Sequence, residues 1–388
     1  MLKKTIFLLD KQSVSGSRGA EYHLNPAGKH PENPVISPGY THEIDSLQVS
    51  WPISVIYDAE YGKFRCWYGS CDAIPERRPP RIWEKSFTRV CYAESNDGIH
   101  WEKPPIGNYL HMGRPSNAIA VDWEGKFAQV FLNPDQSDPS RKFLSMWKEF
   151  GKKGDPAGGD GNESVTGKSL AYSADGIHWS RIGLFYKAED GAQDINCLMY
   201  DPDSKDEEYR VKGYSQVTAK ISSDKKRKVG LVHGRSLEKV VDYPGKVIMD
   251  AVEGIDNEIH FSSVNKIGGK YFMIFESDRF SAEKTNGDLR LAVSEDGIGF
   301  RRVHPREALI PNGEKGTWDE GVLMSGNSGI IEVGDTWYIY YIGHTALTSS
   351  WPRQYSRYGP RFRGMLYYPS WAGLATLPKD SIGYATAK

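Results

Sequence analysis

Cysteine is scarce: there are four in 388 residues, Cys66, Cys71, Cys91 and Cys197, and none forms a C-x-x-C pair. That excludes a disulfide framework and a cysteine zinc cluster, and it leaves reduced thiols buried as small hydrophobes. An excess of one charge is also missing. Lys plus Arg number 49 against 50 Asp plus Glu, a net charge of -1. No field draws the whole chain to nucleic acid or an anionic membrane, so neither is expected as a partner. No apolar run is long enough to span a bilayer. The opening run ends at Leu9, before Asp10 and Lys11, too short for a signal peptide, and a cytoplasmic location is expected. Long helical periodicity is absent too. The histidines His23, His30, His42, His260 and His344 show neither H-x-x-x-H nor H-E-x-x-H spacing, so no catalytic metal is expected.

What is present is repetition in a chain of ordinary globular composition, 39% hydrophobic and 26% charged. One signature occurs three times: AESNDGIHW from Ala93, AYSADGIHW from Ala171 and AVSEDGIGF from Ala292. Each reads as a strand, a tight Asp-Gly turn, and an aromatic that opens the next strand. A degenerate copy, HGRSLEKV, starts at His233, so that Ser173, Gly234 and Ser294 stand about sixty residues apart. The segment GLATLPKDSIGYATA from Gly373 reads as a fifth copy. A second hairpin type, an alternating strand followed by an aromatic-rich one, begins at Val55, Val130, Leu198, Ser263 and Ile330. Interleaving the two types gives five sheets of four antiparallel strands. Sheets this small cannot bury their faces alone and must stack around an axis. The reading is an all-β, five-bladed β-propeller in one domain, 1–388. An N-terminal segment covers 1–49, and the blades lie at about 50–105, 117–182, 192–242, 256–304 and 322–388.

The repeated turns are structural, and their acids (Asp58, Asp97, Asp175, Asp201 and Asp296) are expected to hold backbone amides. Both turn types project from one face of a propeller, so a site is expected on the other, where the connecting loops differ. Counting seven residues back from each first-hairpin turn gives Trp51, Lys126, Asp194, Glu258 and Gly326 at the channel mouth. Two carboxylates on neighbouring blades, with a lysine and an aromatic platform, fit a carbohydrate site. Glycosidic hydrolysis needs one acid to protonate the leaving oxygen and a second carboxylate to activate water. Glu258 is the expected acid and Asp194 the expected base. Glu43 is the choice for a third acidic residue, ahead of Asp45, Asp122, Glu124 and Glu320. His260 and Glu320 are expected among the substrate-binding groups. Two arginine-rich loops, from Pro75 and from Trp351, point to an acidic substrate, with Arg357 and Arg361 as its contacts.

The pattern S-x-D-G-x-x-W, combined with the hairpin YDAEYGKFRCWY from Tyr57, resembles the five-bladed propeller glycoside hydrolases. The invertase/inulinase group (family 32) and the arabinanase/xylosidase group (family 43) are the similar ones. The resemblance implies acids at the beginnings of the innermost strands, a placement that Asp194 and Glu258 share. The W-M-N-D-P-N, R-D-P and E-C motifs of the invertase group are absent, so no residue role carries over by motif. Three functions stay open: a hydrolase of plant, algal or microbial polysaccharide, a non-catalytic sugar-binding propeller, and a glycoside phosphorylase. No cofactor is expected, with a structural calcium in the central channel as the one exception.

Overall fold

The computed structural model describes residues 19–71, 89–123, 126–150, 165–187, 193–217, 226–280, 285–345 and 370–387, together with Phe7 and Leu9. These residues form strands and short 3-10 turns, with no α-helix among them. Three sheets have four strands each, in chain order: Lys126–Leu132 to Ser180–Lys187, Gln193–Tyr200 to Lys239–Met249, and Glu258–Ile267 to Arg301–Arg302. A longer sheet joins Leu323–Val333, Thr336–His344 and Ser370–Pro378 to Gln48–Asp58, Lys63–Cys71, Arg89–Ser95 and Trp101–Glu102. Its two halves meet through one parallel pairing, Ser370 with Gln48, while the pairings inside each half are antiparallel.

The Asp-Gly turns form as the sequence implied. Ser95 Oγ accepts from Gly98 N at 2.9 Å, and Asp97 Oδ1 accepts from Ile99 N and His100 N at 2.8 Å each. Ser173–Asp175 and Ser294–Asp296 repeat these bonds. Glycine is required because the position takes φ of +78°, +73° and +76° at Gly98, Gly176 and Gly297. Burial opposes the charge on Asp175, but bonds from His178, Ile177 and Ser173 bring its carboxyl down to about 2. Each turn also serves its neighbour: Trp67 Nε1 donates to Gly176 O, Tyr214 Oη to Gly297 O, and Tyr340 Oη to Gly98 O. An aromatic from the second strand of one sheet thereby anchors the turn of the next. Five buried apolar clusters lie among the described residues, each drawing on successive sheets, and one joins the Leu323 strand to the Gln48 strand.

The last sheet departs from the expected hairpin. Ser370–Pro378 is its third strand, but the chain then turns through the 3-10 segment Lys379–Ser381, and Gly383–Ala387 pairs instead with Ala20–Leu24. The outer neighbour of Ser370–Pro378 is Gly28–Lys29 from the N-terminal segment. The reason is local. LPKDS lacks the Ser-x-Asp-Gly turn, and Pro378 has no N–H to extend a ladder. Asn33 strengthens the substitute: its Oδ1 accepts from Leu374 N and its Nδ2 donates to Leu374 O, both at 2.8 Å, as a paired strand residue would.

A repeated latch shows that Lys29 occupies a fourth-strand position. Asp256, ahead of its sheet, accepts from Ser277 Oγ on the second strand and Arg302 Nη1 on the fourth. Asp45 does the same with Tyr68 Oη and Lys103 Nζ. Asp319 does it with Tyr341 Oη at 3.0 Å and Lys29 Nζ at 2.5 Å. All three aspartates are buried. Buried charge is tolerable there because each carboxylate has a cation and a hydroxyl donor.

Candidate active site on the leading strands

The first strand of each sheet is irregular at one level. The pairing register slips between Ser50 and Ile53, Phe127 and Gln129, Ile195 and Cys197, Ile259 and Ser262, and Ser325 and Ile330. Such bulges bend a strand and re-aim its side chains. They also free backbone groups to pair between sheets. Ser54 Oγ accepts from Val130 N, and Gln129 Oε1 accepts from Leu198 N. Asn265 Oδ1 accepts from Ile330 N, and Asn327 bridges Ile53 N and Asn196 O. Each leading strand is thus bonded to at least one other leading strand.

At this level the structure gathers a dense group of charges. Asp194 receives Lys148 Nζ on one oxygen and Lys168 Nζ on the other, the latter at 2.7 Å. Lys168 is fully buried, and it also donates to Ile195 O at 3.0 Å. Burial opposes ionisation of Asp194, yet the two lysines hold its carboxyl well below the usual carboxylate range. At 17% side-chain exposure it is the most open acid of the group. Glu258 is buried and faces Arg227, which donates from its backbone N at 3.2 Å and from Nη1 at 3.3 Å. Arg227 itself is 23% exposed. Behind them lies His260, with Nδ1 3.5 Å from Glu276 Oε1. Burial first, and the charge of Arg227 next, push its imidazole well below its ordinary value, against the pull of Asp194. Burial and the adjacent Asp278 carboxylate push Glu276 well above the carboxylate range.

An aromatic wall completes the group. Trp51 stacks on Phe261 at 4.2 Å between centroids, and the His260 ring stacks on the same Phe261 ring at 3.8 Å. Lys148 Nζ lies 5.0 Å from the Trp51 ring. Trp51 Nε1 and both side-chain amide atoms of Asn196 are buried and make no hydrogen bond among the described residues.

Of the residues expected from the sequence, Trp51, Asp194, Glu258 and His260 fall in this group. Lys126 opens the strand Lys126–Leu132 and pairs with Lys148, but its side chain lies outside the described residues. Glu43 and Glu320 serve turns instead. Glu43 Oε2 accepts from Tyr40 N at 2.6 Å and Glu320 Oε2 from Gly316 N at 2.5 Å, and the buried latch acids are their neighbours Asp45 and Asp319. Arg357 and Arg361 lie outside the described residues. The sequence reading missed Lys148, Lys168, Arg227, Glu276 and Asp278. Lys148, Lys168, Glu276 and Asp278 come from second and third strands and Arg227 directly precedes a third strand, so only the register of pairing reveals that they face the group. One signal existed: Glu276 and Asp278 alternate in FESDRF, where the second strand should be most apolar.

No family model and no curated protein sequence matches the chain. Solved structures do resemble it in fold. A glycosyl hydrolase from Bacteroides ovatus superposes with a TM-score of 0.54 at 13% identity, over 93% of this chain and 97% of that one. An N-acetylgalactosamine deacetylase from F. plautii, in complex with a blood group B trisaccharide, gives 0.57 at 15% identity, over 92% and 95%. A β-1,2-mannobiose phosphorylase from Listeria innocua gives 0.54 at 12% identity, over 92% and 97%. The chain shares the all-β fold of these proteins along nearly its whole length.

Proposed function

We propose that the chain is a five-bladed β-propeller that cleaves a glycosidic bond of an oligo- or polysaccharide, with Asp194 and Glu258 as its carboxylate pair. The observation that carries this reading is the convergence of both acids, from successive leading strands, on one aromatic-walled and charge-lined group. The bonds among leading strands, completed by Val264 N donating to Cys197 Sγ, support ring closure. The carbohydrate complexes among the structures of like fold support a sugar ligand.

Asp194 stays ionised between its lysines and accepts the proton of the attacking water. Glu258 gives a proton to the leaving oxygen as the bond from that oxygen to the anomeric carbon breaks. Arg227, bonded to Glu258 and the more exposed of the two, is placed to meet an acidic group on the sugar. Glu258→Gln in a folded protein loses turnover of acidic aryl-glycosides by at least a hundredfold; an unchanged rate removes Glu258 from the mechanism.

A second reading rests on the cations. Lys148, Lys168 and Arg227 bring three cations to the two acids, and a phosphorylase replaces the activated water with phosphate held by cationic groups. Turnover that needs added phosphate selects this reading, and turnover in its absence selects hydrolysis.

A further inference from the structure

We propose that His260, Glu276 and Asp278 form a binding site for one first-row divalent cation of the zinc(II) type. The inference does not depend on the glycosidase reading. Glu276 and Asp278 are two apart on Lys270–Phe280 and so share a face, while Ser277 points away to Asp256. Glu258 pairs with Asp278 and Ile259 with Ser277, and the bulge between Ile259 and Ser262 then turns His260 onto the face of Glu276. One ligand atom from each of the three lies within 4.8 Å of the others, and all three residues are buried.

The charges nearby are unequally matched. Asp194 has two lysines and Glu258 has Arg227 bonded to it. Glu276 is 1% exposed, and its Oε2 has no hydrogen-bond partner. An oxygen buried in that way is costly unless something accepts its electron pair. A cation does so and draws the two carboxylates together. The donor set decides which cation. Calcium takes six to eight oxygens, whereas one imidazole and two carboxylates on rigid strands suit a zinc-type ion with positions left open for water or substrate. Strands also fix the donors more firmly than loops do.

The test is calorimetric titration of the full chain, stripped with EDTA, with zinc chloride, and with calcium and magnesium chlorides as parallel arms. The proposal expects one zinc per chain and weaker binding of the other two ions. His260→Ala and Glu276→Gln, each shown folded by near-ultraviolet circular dichroism, weaken zinc binding at least tenfold. If either fails to fold, Asp278→Asn takes its place. Absence of saturable zinc binding, wild-type affinity in the folded variants, or calcium binding as tight as zinc overturns the site. Zinc binding by a protein that cleaves no glycoside leaves the site standing and removes the glycosidase reading. Cleavage by a protein that binds no zinc does the reverse.

Discussion

Replacing Lys168 with methionine asks whether the two lysines around Asp194 form a working unit or a chance contact. Methionine keeps most of the apolar stem and deletes the ammonium, which is fully buried and bonds Asp194 Oδ1 at 2.7 Å and Ile195 O at 3.0 Å. Removing one partner of a buried ion pair costs about 3–5 kcal/mol because the other charge is stranded. Here Lys148 remains and Asp194 keeps 17% exposure, so the expected loss is lower, about 2–3 kcal/mol. The assay is urea unfolding followed by tryptophan fluorescence, run as a cycle with Asp194→Asn. Neutralising Asp194 in the Lys168→Met background should recover about 1–2 kcal/mol, since no anion is then left short of a cation. The pH dependence has a definite sign. The folded carboxyl of Asp194 is depressed, so its contribution is present above the unfolded value of roughly 4 and is lost as pH falls towards the folded one. Lys168→Met should therefore narrow its gap to the wild type in acid. A loss under about 0.5 kcal/mol, or strict additivity with Asp194→Asn, refutes the reasoning.

Three further outcomes follow from the geometry. Lys29→Met removes the latch to Asp319, leaving that buried acid with the Tyr341 and Thr317 hydroxyls, and should destabilise by about 1–3 kcal/mol in the same urea assay. A Lys103→Met protein, losing the equivalent bond to Asp45, provides the comparison. Tyr340→Phe deletes the 2.6 Å bond to Gly98 O and should cost about 1–2 kcal/mol, with faster proteolysis near the 95–98 turn. Trp51→Ala strips one ring from the stack with Phe261 and should weaken sugar binding at least tenfold while the rest of the charge group persists; titration with the best substrate checks it.

Much of this was legible in the sequence because repetition prints the same local physics several times. Ser-x-Asp-Gly specifies a turn through side-chain bonds within four residues, so its three copies can be read without knowing what they pack against. The position of Asp194 and Glu258 on leading strands was legible for a related reason: each stands at one fixed count before a turn that the sequence marks. What could not be read depends on pairing between distant strands. Lys148, Lys168 and Arg227 reach the acids across strand registers that include bulges, and a slip of one residue reverses every face. Gly28–Lys29 is too short to show alternation, and its place is given by its pairing with Ala375 and Thr376 and by its bond to Asp319. Glu43 shows what a sequence position leaves open: its carboxylate accepts from Tyr40 N, and the buried acid ahead of the first sheet is its neighbour Asp45.

The most direct measurement is the rate of sugar release from a panel of neutral and acidic aryl-glycosides by the wild type and by folded Asp194→Asn. Cleavage by the wild type, with at least a hundredfold lower kcat in the variant, is the expected result. Equal rates for the two proteins, or no cleavage by either across the panel with and without phosphate, would contradict it.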